Sequence, residues 1–420
     1  MNKRTQTITS VPVLLLCTLF LVASVARAAE PDPNIKAAPH PKEFAFTLNN
    51  GYGQGVKFPT DPAAFENLLV NMKKAGFNTI YCVYKDWRLP LCKKHGVKMM
   101  IDVLAWHDDA KTDIRRNEEQ RATVKAICEK VRGNDAVWGY NIWNEKMSFF
   151  GYPDGKSIDD YILMLKKWDP THPIWMGTYQ VIYANAPKSK PGVHAYYDYH
   201  WQRGFHWHFA ALQWYRAYAP SQDGVIGRWM LGSDYNRNSY TLNTSIPFGL
   251  KVAIWFIGGP FSAEGNIDPK HRFHHLVKIG QEMHKLYPEI GKIGMPTAVY
   301  STPTTKTHEN KDKEQDVPFK LPPFPEDFWF RVQRGEAVVG FFKYPGGGDA
   351  IYVANHNAFA PQEMVVGLDG TGTDKAIVEL FNRQTGDWDL IDKRNGGHAF
   401  PLRAAGGELL RVKGRADSNP

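Results

Sequence analysis

The stretch Val137-Trp-Gly-Tyr-Asn-Ile-Trp-Asn-Glu-Lys146 begins as an apolar, aromatic run and ends abruptly in an amide and a carboxylate, Asn144 and Glu145. Such a run fits a strand buried on both faces, as the strands of a parallel sheet are. A carboxylate at the carboxyl end of a parallel strand stands where such sheets carry their chemistry. The alternative is an ordinary strand that closes in a polar turn.

On either side of this stretch, apolar runs alternate with helical patterns. Glu43-Phe-Ala-Phe-Thr-Leu48 reads as a first strand, and Asp61 caps a helix to about Lys74, with Phe65, Leu68, Leu69 and Met72 at helical spacing. Asn78 to Tyr84 and Val97 to Ala105 are the second and third strands; the quoted stretch is the fourth. A charged helix runs from about Thr112 to Arg132 and another from Ser157 to Trp168. Pro173 to Thr178, Gly192 to His200 and Val225 to Leu231 continue the series. An apolar helix around Pro247 to Val252 then leads into an eighth strand at Ala253 to Ile257, and a long helix from His271 to Leu286 closes it. Eight alternations over about 250 residues predict a (β/α)8 barrel, a TIM barrel, spanning residues 43–300. An open doubly wound sheet is the competing arrangement, but no Gly-x-Gly-x-x-Gly turn joins an early strand to its helix.

The pattern changes after residue 300. Residues 301–328 are polar and Pro-rich, and read as a linker or a long loop clasping the barrel. From Trp329 to the end, short strands alternate with Gly-rich turns and no helical pattern intervenes, which predicts a small antiparallel β-sandwich over 329–420.

The first 28 residues carry a different signal. Lys3 and Arg4 precede the apolar run Val11 to Val22, and Ala26-Arg27-Ala28 fits a cleavage site, so residues 1–28 read as a secretory signal peptide and 29–42 as a Pro-rich leader. No later stretch is long and apolar enough to span a bilayer. Of the net charge of +8, Lys3, Arg4 and Arg27 leave with the signal, so the remainder carries +5. The positive residues are dispersed, which argues against a nucleic-acid groove, and an anionic sugar substrate is compatible with the charge. Cys82, Cys92 and Cys128 remain in the mature chain without framework spacing and read as buried thiols, with a Cys82–Cys92 bridge as the lesser possibility. The 13 Trp, 19 Tyr and 23 Phe gather in part beside polar residues at strand ends, where aromatic faces can stack on sugar rings.

Hydrolysing a glycosidic bond takes two carboxyl groups, one to protonate the leaving oxygen and one to attack the anomeric carbon or activate water. Trp143-Asn144-Glu145 at the end of a fourth barrel strand resembles the acid/base motif of the large clan of retaining (β/α)8 glycoside hydrolases, which includes β-galactosidase-like, cellulase-like and mannanase-like families. The resemblance implies that Glu145 is the general acid/base and Asn144 a ligand to a sugar hydroxyl. It implies a nucleophilic Glu after strand seven as well, and here the chain departs from the clan. The seventh strand runs into Gly232-Ser-Asp-Tyr-Asn236 and offers Asp234. Glu264 after strand eight and Asp198 on strand six are the other candidates for the second carboxylate. Asp is one methylene shorter than Glu, and a wider carboxylate spacing suits inversion.

Other strand ends supply candidate sugar ligands: Trp106, His107 and Asp108 after strand three, Tyr179 after strand five, and Tyr199, His200 and Trp201 beside Asp198 after strand six, with Asn236 near Asp234. No cofactor is expected and no metal site: His206 and His208 diverge if their segment is helical, and His271, His274 and His275 read as surface residues. The sequence therefore predicts a secreted or periplasmic hydrolase acting on a poly- or oligosaccharide. A catalytically inactive glycan-binding barrel and a metal-dependent carbohydrate hydrolase or deacetylase are the rivals.

Overall fold

Eight short parallel strands close on themselves: β1 (Ala45–Asn49), β2 (Thr79–Val83), β3 (Lys98–Asp102), β4 (Val137–Asn141), β5 (Ile174–Tyr179), β6 (Gly192–Tyr197), β7 (Val225–Met230) and β8 (Leu250–Trp255), with β8 pairing back to β1. The computed structural model describes residues 36–49, 58–103, 117–142, 155–179, 189–197, 205–221, 223–230, 234–255, 259–303, 306–310, 313–316, 321–369, 375–394 and 396–415. Helices α1 (Pro62–Lys74), α2 (Arg88–His95), α3 (Glu118–Val131), α4 (Gly155–Trp168), α5 (Phe205–Ser221), α6 (Tyr235–Ser245) and α7 (His275–Met283) follow the strands in turn, except that no helix is described between β5 and β6, and α8 (Tyr287–Lys292) follows α7. Local chemistry sets their ends. The Asp61 side chain accepts from Ala64 N at 2.9 Å ahead of α1, Asn117 does the same for Gln120 N at 3.0 Å ahead of α3, and α2 stops at Gly96 with φ +60°.

Each strand divides its residues between two cores. Ala45, Tyr81, Met100, Trp138, Trp175, Val193, Ala195, Val225, Trp229, Val252 and Ile254 face the interior and pack together. Phe46, Leu48, Met99, Ile101, Tyr140, Met176 and Ile226 face the helices. The interior is filled and is no pore, as is usual for this barrel. Gly227 makes room in it, since a Cβ there would lie 2.2 Å from Cζ3 of Trp175.

A two-sheet antiparallel sandwich follows the barrel. Its four-stranded sheet has the order β12 (Phe330–Arg334), β15 (Gln362–Leu368), β19 (Gly397–Leu402), β18 (Lys393–Arg394). The six-stranded sheet has the order β17 (Trp388–Leu390), β16 (Ile377–Phe381), β20 (Gly407–Lys413), β14 (Asp349–Asn355), β13 (Ala337–Lys343), β9 (Ala298–Ser301). β9 pairs with β13 from Ala298↔Phe341 to Ser301↔Val338, so the sandwich takes its edge strand from residues that the alternation pattern assigns to the end of the barrel. The 301–328 segment holds a two-stranded pair of its own, β10 (Lys306–Asn310) with β11 (Lys313–Asp316). Strands of four or five residues with mixed polarity carry too little periodicity to read from sequence.

The end of the barrel also departs from expectation. No helix occupies 247–252: Ile246–Phe248 is a single 3-10 turn, and β8 starts at Leu250, three residues early. The helix between β7 and β8 is instead α6, whose sequence is Tyr-Asn-Arg-Asn-Ser-Tyr-Thr-Leu-Asn-Thr-Ser. Asn, Ser and Thr are weak helix formers, and the segment has no apolar stripe. It is nevertheless buried from Asn238 to Ser245, because it lies between barrel and sandwich. Its polar groups meet partners on both sides. Asn243 Nδ2 donates to Ala405 O at 3.0 Å and to Ser239 O at 2.8 Å, Ser239 Oγ donates to Ala405 O at 3.1 Å, and Tyr352 OH donates to Asn243 Oδ1 at 2.6 Å. Gly340 of β13 lies so close to the 3-10 turn that a Cβ would stand 2.3 Å from Pro247 O. The long helix expected over 271–286 is broken, with α7 ending at Met283 and α8 starting at Tyr287 ahead of Pro288.

Cys82, Cys92 and Cys128 are buried free thiols, and burial raises the thiol pKa of Cys128 to about 12. His194 on β6 is wholly buried against Tyr218, with ring centroids 5.0 Å apart, and neither ring nitrogen has a partner among the described residues. Burial lowers its pKa from 6.5 to about 3. The unfolded chain takes up this proton as pH falls through 6.5, while the folded chain resists until about 3, so the stability His194 contributes is complete above pH 6.5 and is lost below it. The loss is roughly 3 kcal/mol by pH 4. A His194→Leu variant should be at least as stable at pH 7 and should show a flatter melting temperature between pH 6.5 and 4; a parallel fall in both proteins would remove His194 as the acid-sensitive group.

Candidate active site

The carboxyl ends of the strands define the mouth of the barrel. Asp102 ends β3 on the same face as inward Met100, and its Cα partner across the ladder is Asn141, the last residue of β4. Asn141 faces inward as well, since Tyr140 and Ile142 on either side pack into the outer core. β1 brings Thr47 and Asn49 to the same face as Ala45. All four polar residues are buried, with Asp102 at 8% exposure and the others at 2% or less. Tyr81, Trp138 and Trp229 line the same interior, with Trp229 edge-on to Tyr81 and to Trp175 at 6.0 and 5.9 Å.

β4 is held from its outer side. Tyr140 OH donates to Asp169 Oδ2 at 2.5 Å, and the same carboxylate lies 2.6 Å from His172 Nδ1 and accepts from Thr171 N at 2.8 Å. Burial alone would raise the Asp169 pKa, but the bonds from His172, Thr171 and Tyr140 outweigh it and hold the carboxyl well below the usual range. The tether fixes the strand whose continuation in the chain is Trp143-Asn144-Glu145.

The sequence-predicted residues distribute unevenly. Glu145, Asn144, Trp106, His107, Asp108, Asp198, Tyr199, His200 and Trp201 lie outside the described residues, and Tyr179 is described in its backbone alone, as the last residue of β5. Asp234 caps α6, accepting from Arg237 N at 2.9 Å; it is exposed, and Asn236 is half-buried in the first turn of that helix. Glu264 stands exposed in the loop after β8, where its carbonyl accepts from Asn67 of α1 at 2.7 Å. The structure thus sets Glu264 beside an outer helix and Asp234 at the start of the helix after β7. His275 opens α7 half-buried, with Nε2 2.6 Å from Asn238 Nδ2. His208 is an interior residue of the helix layer, bonded to Arg228 and Thr244. Among the described residues no three His, Cys, Asp or Glu side chains are grouped as a metal would require, and no helix is long and apolar enough to cross a membrane.

Thr47, Asn49, Asp102 and Asn141 were not singled out from sequence as functional. Their signal was present: polar residues within otherwise apolar strands, at positions sharing a face with Ala45 and Met100. Reading it requires the inward parity of each strand, which a strand buried on both faces does not display.

No protein-family model and no curated protein sequence matches the chain. Solved structures do. The chain has the fold of a TIM barrel followed by a β-rich domain. The β-galactosidase from Bacillus circulans sp. alkalophilus aligns with a TM-score of 0.55 and 8% identity, over 90% of this chain and 99% of that one. The α-amylase from Geobacillus thermoleovorans aligns with a TM-score of 0.49 and 10% identity, over 90% of this chain and 100% of that one. At such identities the likeness to the β-galactosidase establishes a shared fold, the barrel followed by a β-rich domain.

The cap at α6 separates two properties of Asp234. Asp234→Ala should lower the unfolding free energy by about 1 kcal/mol, whereas Asp234→Asn, an equally good cap, should stay within about 0.5 kcal/mol of the parent in urea denaturation. Equal losses in both would show that the side chain stabilises the fold by other means than the cap.

Proposed function

We propose that the protein is a glycoside hydrolase that cleaves the O-glycosidic bonds of a poly- or oligosaccharide. The observation that carries this reading is a closed parallel barrel, part of an architecture that aligns with a β-galactosidase over 90% of the chain, whose fourth strand leads in sequence to Trp143-Asn144-Glu145. In this reaction the protonated carboxyl of Glu145 gives its proton to the glycosidic oxygen as the C–O bond to the anomeric carbon breaks. A second carboxylate either attacks that carbon, with water later displacing it, or takes a proton from the water that attacks. Asn144 binds a hydroxyl next to the reacting carbon. Asp234, in the connection after β7, is the best supported second carboxylate of the three candidates, since Glu264 stands beside α1.

One observation favours a second reading, a barrel that binds glycan without cleaving it: the Asp234 carboxyl is already engaged as the cap of α6. Turnover decides between them. Glu145→Gln should cut kcat by a hundred- to ten-thousandfold on polysaccharides that the parent protein cleaves, with affinity within a few-fold. Undiminished turnover would remove Glu145 from the mechanism, and a parent protein that binds glycans yet cleaves none would leave the binding barrel.

We also propose that the protein is exported. The run Val11 to Val22 and Ala26-Arg27-Ala28 support cleavage after residue 28, so mass spectrometry of the exported chain should find Ala29 at its amino terminus. Retention of Met1 on exported protein would overturn cleavage at this position.

A further inference from the structure

Each barrel helix returns antiparallel to the strand before it, so α6 and α7 begin at the carboxyl ends of β7 and β8, the face on which β4 continues in sequence to Glu145. In a closed ring of eight, β8 lies opposite β4, and these helix starts form the far shoulder of the mouth. The two starts touch: Asn238 Nδ2 lies 2.6 Å from His275 Nε2, and the ammonium of Lys278 lies 4.2 Å from the centre of the Tyr235 ring. The loop before α7 presents exposed Lys270 and Arg272, with the Arg272 guanidinium 4.6 Å over Phe273, and Arg237 stands half-buried in the first turn of α6. Among the described residues none of these four cations pairs with a carboxylate. The nearby acids are engaged otherwise. Asp234 accepts from Arg237 N and Asp268 from Lys270 N, both at 2.9 Å, while Glu282 accepts from Tyr235 OH at 2.8 Å and pairs with Arg403. Neither helix has an acidic residue in its first turn, where α3 has Glu118 and Glu119. Other surface cations are neutralised in place, as Arg411 and Lys413 are by Glu379 and Lys130 is by Asp86. On the shoulder the like charges repel, and an anion relieves that repulsion.

We infer that the α6–α7 shoulder binds the anionic groups, carboxylate or sulfate, of a polysaccharide whose chain crosses the mouth. The inference rests on the hydrolase reading of the same mouth and narrows its substrate. A guanidinium donates two parallel hydrogen bonds to a carboxylate or a sulfate, and an ammonium meets either as a point charge. Cations spread over α6, the loop and α7 match charges repeated along a chain better than they match one compact ion. Exposed contacts of this kind are individually weak and screened by salt, so the shoulder acts through several at once and loses its hold as salt rises. It lies across the ring from β4, so it receives sugar units beyond the bond that Glu145 is assigned to cleave.

The test reads binding apart from turnover, by calorimetry on the full-length Glu145→Gln protein. The probes are matched pairs: polygalacturonate with its methyl-esterified form, and carrageenan with its desulfated galactan. At low salt the protein should bind at least one anionic polymer tenfold or more tighter than its neutral counterpart, and high salt should abolish the preference. The pair that shows it assigns carboxylate or sulfate. Adding Lys270→Ala and Arg272→Ala should weaken that binding at least fivefold and leave the neutral counterpart within twofold. Adding Lys375→Ala and Lys393→Ala instead, which removes two exposed cations of the sandwich, should change neither. Equal losses from the two pairs of substitutions would reduce the effect to net charge and overturn the shoulder. Equal affinity for charged and neutral forms, or no binding of any polymer, would overturn it as well. Turnover by the parent protein decides the hydrolase reading separately: cleavage without any preference for charge would keep the hydrolase and remove the shoulder, and shoulder-dependent binding without cleavage would do the reverse.

Discussion

Arg228 on β7 is wholly buried, and its guanidinium reaches outward into the helix layer, where Nη1 donates to His208 Nδ1 at 2.5 Å and to Ser245 Oγ at 2.7 Å. A guanidinium only donates, so Nδ1 of His208 accepts and its Nε2–H donates to Thr244 Oγ1 at 2.8 Å. Thr244 and Ser245 pass their own hydrogens to the carbonyls of Tyr240 and Thr241, both at 2.6 Å. On the far side of the same helix, Asn243 and Ser239 bond to Ala405 of the sandwich, and Tyr240 OH lies 2.8 Å from His356 Nδ1. Every direction in this chain is set by the one before it, so α6 fits only when barrel and sandwich are both in place.

That constraint explains why so polar a helix can be buried at all. Each unsatisfied hydroxyl or amide in the layer would cost roughly 1–3 kcal/mol. With the sandwich absent, Asn243 would lose its bonds to Ala405 and from Tyr352 while remaining against the barrel. The sandwich is therefore part of what makes the barrel's seventh unit a helix. The consequence reaches the barrel interior, because α6 begins at the Asp234 cap and follows β7, whose Trp229 packs there edge-on to Tyr81 and Trp175. Sandwich docking and the packing of that interior are linked through a single helix.

The eight strands were legible because parallel strands buried on both faces are short apolar runs, and the runs are spaced by capped helices such as that after Asp61. What was not legible shares one physical cause. α6 has the composition of a loop and takes its helical form from partners distant in the chain, Tyr352 and Ala405 among them. β9 is four residues whose assignment to the sandwich comes from pairing with β13. Asp102 sits within an apolar run, where sequence cannot tell which of two buried faces it occupies. The candidate site divides the other way: Trp143-Asn144-Glu145 stands out as a motif in sequence, whereas the shared inward face of Asn49, Asp102 and Asn141 shows only once the barrel closes.

The division between these two groups has a mechanical reason. A residue on a barrel strand is held by backbone bonds to both neighbouring strands. Asp102 and Asn141 satisfy that condition, and β4 gains a further anchor through Tyr140 and Asp169. Groups placed past the strand ends can be exchanged for others without disturbing the ladder, which is how one barrel comes to host many chemistries. Here the residues of the motif follow the end of β4 in sequence, and Asn49, Asp102 and Asn141 lie within the strands. The ladder thus fixes the buried polar residues, while the segments beyond the strand ends are free to vary.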